Sequence, residues 1–169
     1  VTFIMCNAYR MQADTLRREA ASLQTAMSTI DKERAARAKE QSAEYYERFF
    51  ALCDDFLTVM PDHKYARDFV NMMGAVYFGN RKYDDLLEKF AGYENGVMNN
   101  KKGFVNRSEF RKSPGMAAAH YMSGLALLAT GRFDEAKPML SAVVGVNVEG
   151  LPLDDGGLTT YDAEDSLGE

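Results

Sequence analysis

The sequence predicts an all-α protein in which paired helices repeat along the chain. No proline occurs before Pro61 and no glycine before Gly74, so nothing interrupts helix over the first sixty residues. Apolar residues recur in that stretch at alternating spacings of three and four. Two later segments of similar sequence each read as a helix with a small residue, a polar turn and an acidic helix start.

Composition narrows the class of protein. The 169 residues are 46% hydrophobic and 27% charged, which is typical of a folded domain of ordinary size. A formal net charge of -5 argues against nucleic acid as the main partner, because phosphate binding needs clustered Lys and Arg. No apolar run approaches the roughly 18 residues that a membrane span needs. Cys6 and Cys53 are too few for a disulfide scaffold or a structural zinc site.

Residues 1–41 are predicted to form one long, stalk-like amphipathic helix. Its apolar seam repeats with a period of 3.5, which favours left-handed supercoiling against a partner. Two interpretations are open: self-association through residues 9–30 as a coiled coil, or packing of the helix inside its own domain. Residues 31–44 are charged, small or polar, so they form either a solvated helix or the place where the chain turns back. The seam consists of Tyr9, Ala13, Leu16, Ala20, Leu23, Met27 and Ile30.

The apolar residues 1–6 also leave two interpretations open. They fit the end of a membrane anchor or signal segment that precedes Val1, and they fit the first turns of a buried helix. A second helix then follows the charged stretch, with apolar residues again three and four apart, and should end at Pro61. Its apolar positions are Tyr45, Phe49, Leu52, Phe56 and Val59.

Two segments that begin at Met72 and Met122 align as copies of one helix–turn–helix unit within a repeat domain predicted over residues 42–148. Gly74 and Gly124 should let a neighbouring helix approach closely, and Tyr83 and Phe133 should fill the angle between paired helices. Acidic residues follow each turn, where the helix dipole favours negative charge. The positions that define the repeat are Gly74, Tyr83, Leu86, Gly124, Gly131, Phe133 and Ala136.

The run from Gly131 to Ala136, with Gly124 before it and Leu140 after it, resembles a tetratricopeptide repeat (TPR). The segment 74–90 is a looser copy, with Leu86 where the family usually has Ala. Residues 45–65 are similar to bacterial envelope TPR proteins of the BamD and CpoB type, in which an aromatic-rich helix ends before Pro-Asp. The resemblance covers residues 42–95 and 115–148. It implies stacked helical hairpins and a protein-binding role, and it favours the bacterial periplasm or envelope over the cytoplasm.

The two glycines lie 50 residues apart, against roughly 34 for adjacent repeats, which indicates an insertion over residues 95–114. This insertion holds a concentrated group of basic residues with two aromatic residues between them. It is either a docking loop for an acidic partner or for the acidic tail, or a solvated loop anchored by its aromatic residues. The docking-loop candidates are Lys101, Lys102, Phe104, Arg107, Phe110, Arg111 and Lys112.

Residues 149–169 are predicted to form an extended acidic arm, because they are rich in Asp, Glu and Gly and hold few large apolar residues. They contain no Lys or Arg, and the basic residues all lie at or before Lys137. The net negative charge of the whole chain therefore comes from its C-terminal end.

No catalytic constellation, cofactor motif or metal-ligand spacing is recognisable. We therefore predict a non-enzymatic scaffold or adaptor that binds protein segments as a structural subunit of a larger assembly. The alternative is a helical enzyme or ligand-binding domain with a pocket lined by Met and Tyr near Cys53. The candidate binding groove lies on the first helices of the hairpins and is formed by Asn71, Tyr77, His120 and Ser123.

Overall fold

The computed structural model describes residues 1–25, 28–94, 97–98 and 102–144. Within these residues the chain forms six α-helices and one short antiparallel strand pair, which confirms the predicted all-α class. The chain divides into two compact units, Val1–Thr58 and Val59–Glu169. None of the helices in the described ranges is both long enough and apolar enough to cross a membrane. The predicted acidic arm, 149–169, lies outside the described residues.

The first unit is an antiparallel helical hairpin of α1 (Thr2–Leu23) and α2 (Thr29–Val59). The single helix predicted over 1–41 is therefore wrong, since that segment holds all of α1 and only the first part of α2. The chain reverses between residues 24 and 28, before the polar stretch that the sequence offered as a turn. No glycine or proline occurs at this reversal, so the sequence contains no helix-breaking residue that would predict it.

Contacts along the hairpin show that the first part of the apolar seam, at Tyr9 and Ala13, is used inside the unit, whereas Ile30 is exposed. The Tyr9 ring lies 6.0 Å from the Tyr45 ring, and Ser42 donates a 2.8 Å hydrogen bond to the carbonyl of buried Ala13. Near the turn, Arg34 donates to Glu19 at 2.7 Å. These contacts favour the interpretation in which α1 packs within its own domain. Self-association through 9–30 stays a prediction.

The second unit begins where α2 ends, just before Pro61 as predicted, and consists of four helices. These are α3 (Ala66–Gly79), α4 (Tyr83–Ala91), α5 (Gly115–Ala129) and α6 (Phe133–Val143). The helix α5 is central, because it packs against α3, α4 and α6. The largest fully buried side chains of this unit are Phe69, Val70, Met73, Leu86, Leu87, Phe90, Phe110, Leu127 and Val143.

The predicted insertion lies between the two hairpins of the second unit. Strand β1 (Tyr93–Glu94) comes just before it and pairs with β2 (Val97–Met98) within it, and two 3-10 turns follow, Phe104–Asn106 and Ser108–Phe110. The buried Ser113 then leads into α5: its hydroxyl accepts from the Gly115 N–H at 3.1 Å and donates to the Pro61 carbonyl. The insertion is thus tied to the loop that precedes α3.

Candidate functional site

The two hairpins of the second unit have the same turn at positions 50 residues apart. The residue that directly follows the first helix has φ -98° and ψ 3° at Asn80, and φ -99° and ψ 5° at Thr130. The next residue has a left-handed backbone, with φ 55° at Arg81 and 76° at Gly131. The residues after these, Lys82 and Arg132, match equally well in both dihedral angles. The turns are therefore structural copies.

Hydrogen bonds repeat in the same register. Lys82 N–H donates to the Tyr77 carbonyl at 2.9 Å, and Arg132 N–H donates to the Leu127 carbonyl at 2.8 Å. The side chains repeat as well, since Asn80 donates to the Val76 carbonyl and Thr130 donates to the Ala126 carbonyl. In each turn the orphan carbonyls of the first helix are satisfied in the same way.

An ion pair between the turn and the first residues of the second helix is also conserved between the two copies. Lys82 Nζ lies 3.2 Å from Asp85, and Arg132 lies 2.7 Å from Glu135. The Arg132 pair holds the pKa of the Glu135 carboxyl below its usual range, chiefly through the hydrogen bonds that the guanidinium donates. The two turns thus agree in backbone angles, hydrogen bonds and charges.

Gly74 and Gly124 both lie within buried parts of their helices, at close approaches of a neighbouring helix. A Cβ at Gly124 would lie 2.5 Å from Leu140 Cδ2, on the paired helix α6. A Cβ at Gly74 would lie 2.7 Å from Met122 Cγ, on the first helix of the next hairpin. Both glycines thus permit close packing as predicted, but Gly124 serves contact within its hairpin and Gly74 serves contact between hairpins.

The first helices of the two hairpins, α3 and α5, have residues at equivalent positions that are half-buried or, at Ala75, exposed. On α3 these are Asn71, Ala75 and Phe78, and 50 residues later they are Tyr121, Leu125 and Leu128 on α5. Spacings of four and three place each triplet on one face of its helix. We call these six residues the first-helix stripes.

The predicted groove residues are not brought together. Asn71 lies on the α3 stripe, whereas Tyr77 turns toward α4, with its ring edge-on to Phe90 at 6.4 Å. Placing Ser123 in a groove is wrong, because this residue is fully buried and its hydroxyl donates to the Ala119 carbonyl of its own helix.

His120 is also turned partly into the protein. Its Nδ1 is buried and has no hydrogen-bond partner within the described part of the chain. Burial lowers its pKa to about 4, so the ring is neutral at pH 7. A neutral ring with a buried nitrogen fits a packing role on α5.

The two turn aromatics differ. Tyr83 is half-buried, and its ring lies edge-on to Phe78 at 5.0 Å, in the angle between α3 and α4 as predicted. Phe133 is 66% exposed, so the prediction that it fills the angle of the second hairpin is wrong.

The aromatic residues of the predicted docking loop anchor the loop. Phe104 and Phe110 are buried and stack with ring centroids 4.1 Å apart. The Arg107 guanidinium lies over the Phe110 ring at 4.5 Å and donates to Glu109 at 2.8 Å. Two buried aromatic rings are not available to a docking partner, which supports the anchored-loop interpretation for these two residues.

The described basic residues of that loop fall into two groups. Lys102 is paired with Glu94 at 2.9 Å, and Arg107 is paired with Glu109, so their charges are largely neutralised locally. Arg111 and Lys112 are exposed. Lys101 lies outside the described residues. Docking of an acidic segment therefore stays a prediction, and it rests on Arg111 and Lys112.

A buried tyrosine just before the insertion, outside every predicted site, contacts the second hairpin. The Tyr93 hydroxyl donates to Glu135 at 2.9 Å, and Arg132 covers the Tyr93 ring at 4.5 Å. Burial, and then the bond to Glu135, raises the pKa of Tyr93 to about 12. The repeated ion pair between turn and helix start could have pointed to Arg132 and Glu135, but no spacing rule links them to Tyr93.

The alternative pocket near Cys53 finds no support in the contacts of that residue. Cys53 is fully buried and its sulfur contacts Cys6 of α1. Two open clefts of about 390 and 410 Å³ do lie on the first unit, toward the turn between α1 and α2. Small and charged side chains such as Ala35 and Arg34 line them, and neither lining includes Cys53. The described residues hold no cluster of His, Cys, Asp and Glu that could bind a metal ion.

The fold and site together define a class: an all-α protein whose second unit carries two copies of one helical hairpin. Comparison of the chain with protein-family models, with curated proteins and with solved structures gave no match. The TPR relationship is accordingly a proposal.

Proposed function

We propose that this protein is a non-enzymatic scaffold whose second unit is a TPR-like stack that binds a segment of another protein. The observation that carries the proposal is the repetition, at an offset of 50 residues, of the same turn and of partly exposed residues at equivalent positions on α3 and α5. Stacked copies of a paired-helix module present a continuous surface built from equivalent helices.

The first-helix stripes supply the chemistry for binding a peptide-like segment. Phe78, Leu125 and Leu128 offer apolar area, while Asn71 and Tyr121 offer hydrogen-bonding groups beside it. Aromatic anchors with nearby polar groups are typical of protein-binding sites. Because α3 packs directly on α5 through the Gly74–Met122 contact, the two stripes belong to neighbouring helices.

The partner is a helical or extended protein segment, held without cofactor or metal. A role as a structural subunit of a larger assembly, in a bacterial envelope, belongs to the same proposal and rests on the resemblance of residues 45–65 to envelope TPR proteins.

The proposal is tested by affinity purification of the full chain from its native source, with the captured proteins quantified by mass spectrometry. Ala75→Arg places a charge in the middle of the α3 stripe and should remove the proteins that the wild type enriches. Ala51→Arg is the matched control, because Ala51 is also an exposed alanine within a helix. It should retain those proteins.

Circular dichroism of both variants checks that they remain folded. Equal capture by Ala75→Arg and the wild type would overturn the stripes as the binding surface. The scaffold function itself would be overturned if no protein were enriched over the background of the purification and the protein turned over a small molecule.

A further inference from the structure

Cys6 on α1 and Cys53 on α2 meet inside the first unit. Their sulfur atoms lie 3.8 Å apart, and the Cys53 thiol donates to Cys6 Sγ. Neither residue is in a disulfide, and both are fully buried. They are the two cysteines of the chain, although 47 residues separate them in sequence.

The rest of the hairpin holds this pair in place. The Tyr9–Tyr45 ring contact and the Ser42–Ala13 hydrogen bond lie further along the same antiparallel helices. A disulfide needs sulfur atoms about 2.05 Å apart, so the two sulfurs have to approach by about 1.8 Å. Rotation about the Cα–Cβ bonds of two facing cysteines supplies movements of that size.

We propose that Cys6 and Cys53 form a reversible intramolecular disulfide that ties the beginning of α1 to the C-terminal half of α2. The proposed modification site lies in the first unit. It does not depend on the binding surface proposed for the second unit, and failure of either proposal leaves the other standing.

The oxidant is a low-molecular-weight disulfide. The Cys6 thiol loses a proton, and its thiolate attacks one sulfur of the oxidant, which releases one small thiolate and leaves a mixed disulfide on Cys6. Cys53 then loses its proton and attacks Cys6 Sγ, which forms the Cys6–Cys53 bond and releases the second small thiolate. The two protons pass to the released thiolates, so two protein thiols are oxidised and one small disulfide is reduced to two thiols.

The hydrogen bond from Cys53 supports Cys6 as the attacking residue. It lowers the pKa of Cys6, while burial opposes the shift. The thiolate is the reactive form in exchange, so the thiol with the lowered pKa reacts first. Cys6 also lies in the second turn of α1, next to Met5, which is exposed. Local opening of these first turns admits the oxidant.

The disulfide should stabilise the hairpin. It closes a loop from residue 6 to residue 53 and so restricts the unfolded chain. For a loop of this length we expect the midpoint of thermal unfolding to rise by roughly 10 °C, reversed by reductant.

The test uses the full chain in glutathione buffers with an increasing share of the oxidised form, quenched by acid and analysed by mass spectrometry. The expected product is a monomer that is lighter by about 2 Da, the mass of two hydrogens, with Cys6 and Cys53 joined in its peptide map. The melting midpoint of this product is compared with that of the reduced wild type, so the result does not depend on any variant folding.

Cys6→Ala and Cys53→Ala are the matched controls, because each keeps one buried thiol and should show neither the mass loss nor the shift. Formation of the bond should also be faster for the folded chain than for the chain in urea. Three results would overturn the proposal: both thiols persist when the buffer is fully oxidised, only disulfide-linked dimers appear, or the bond forms solely in urea.

Discussion

Arg81 and Gly131 occupy the same position in two copies of one turn, and both have a left-handed backbone. Glycine adopts this conformation without strain, whereas a residue with a Cβ does so at a cost of roughly 1–2 kcal/mol. A Cβ at Gly131 would meet no atom within 4 Å, so strain at this site comes from the backbone alone. The two turns therefore differ in backbone strain and agree in geometry.

This difference predicts opposite responses to substitution. Gly131→Ala should lower the free energy of unfolding by about 1 kcal/mol, and Arg81→Gly should leave it unchanged or raise it by less than about 1 kcal/mol. Urea denaturation followed by circular dichroism measures both. Arg37→Gly, at an exposed position inside α2, is the control and should cost about 1 kcal/mol. An equal loss for Arg81→Gly and Arg37→Gly would contradict the shared turn geometry.

Gly103 should be the least replaceable glycine among the described residues. It has φ 82°, and a Cβ there would lie 2.1 Å from the backbone nitrogen of Gly92. Backbone atoms cannot move aside as a flexible side chain can, so Gly103→Ala should cost about 3 kcal/mol or more. Gly79→Ala is the control, because a Cβ there meets nothing within 4 Å, and it should not destabilise. Similar unfolding midpoints for the two variants would show that the insertion is not pinned to the end of α4.

Gly124→Ala should cost more than Gly74→Ala. At Gly124 the obstacle is the branched Leu140 side chain, with Cγ at 2.6 Å, whereas at Gly74 it is the flexible Met122 side chain. We expect a loss of about 2 kcal/mol for the first variant and under about 1 kcal/mol for the second. A double-mutant cycle with Leu140→Ala measures the coupling, since removing Leu140 should relieve part of the clash. If the losses caused by Gly124→Ala and Leu140→Ala simply added, the close contact between these two residues would be contradicted.

Stability should depend on His120 at mildly acidic pH. Its pKa is about 4 in the folded protein against the ordinary 6.5, so the unfolded chain binds the proton more tightly. The contribution of the neutral His120 ring to the free energy of unfolding is present above pH 6.5 and is lost as the pH falls toward 4. The limiting slope is about 1.4 kcal/mol per pH unit. Urea midpoints of the wild type and His120→Phe across this range provide the measurement. Parallel curves for the two proteins would show that His120 is solvated.

Tyr93 should respond at the opposite end of the pH scale. Tyr93→Phe removes the hydroxyl that donates to Glu135, at an expected cost of about 1–2 kcal/mol at neutral pH. The pKa of Tyr93 is raised to about 12, so the neutral form is favoured by folding, and its stabilisation disappears as the pH rises from 10 to 12. The difference in free energy of unfolding between the wild type and Tyr93→Phe, measured by chemical denaturation, should narrow over that range. A difference that stays constant from pH 10 to 12 would contradict the hydrogen bond from Tyr93 to Glu135.

Local patterns predicted much of the second unit. The small residue, polar turn and acidic start are short-range features, and the turns at Arg81 and Gly131 are built almost entirely from bonds within five residues. Helix α2 ends before Pro61 for an equally local reason, since the pyrrolidine ring excludes helical geometry in the preceding residue. Tyr93 was missed because its partner, Glu135, is 42 residues away.

Local sequence features were sufficient to predict the all-α class, the end of α2 and the two turn-linked helix pairs, because periodicity, proline and glycine act on neighbouring residues. Packing between helices, which no local pattern encodes, makes α1 fold back on α2, buries Ser123 while Phe133 is exposed, and brings Cys6 against Cys53. Those outcomes depend on which helix packs on which. Helices of the same amphipathic pattern can pack on one another or on another chain, so the pattern alone does not distinguish these arrangements.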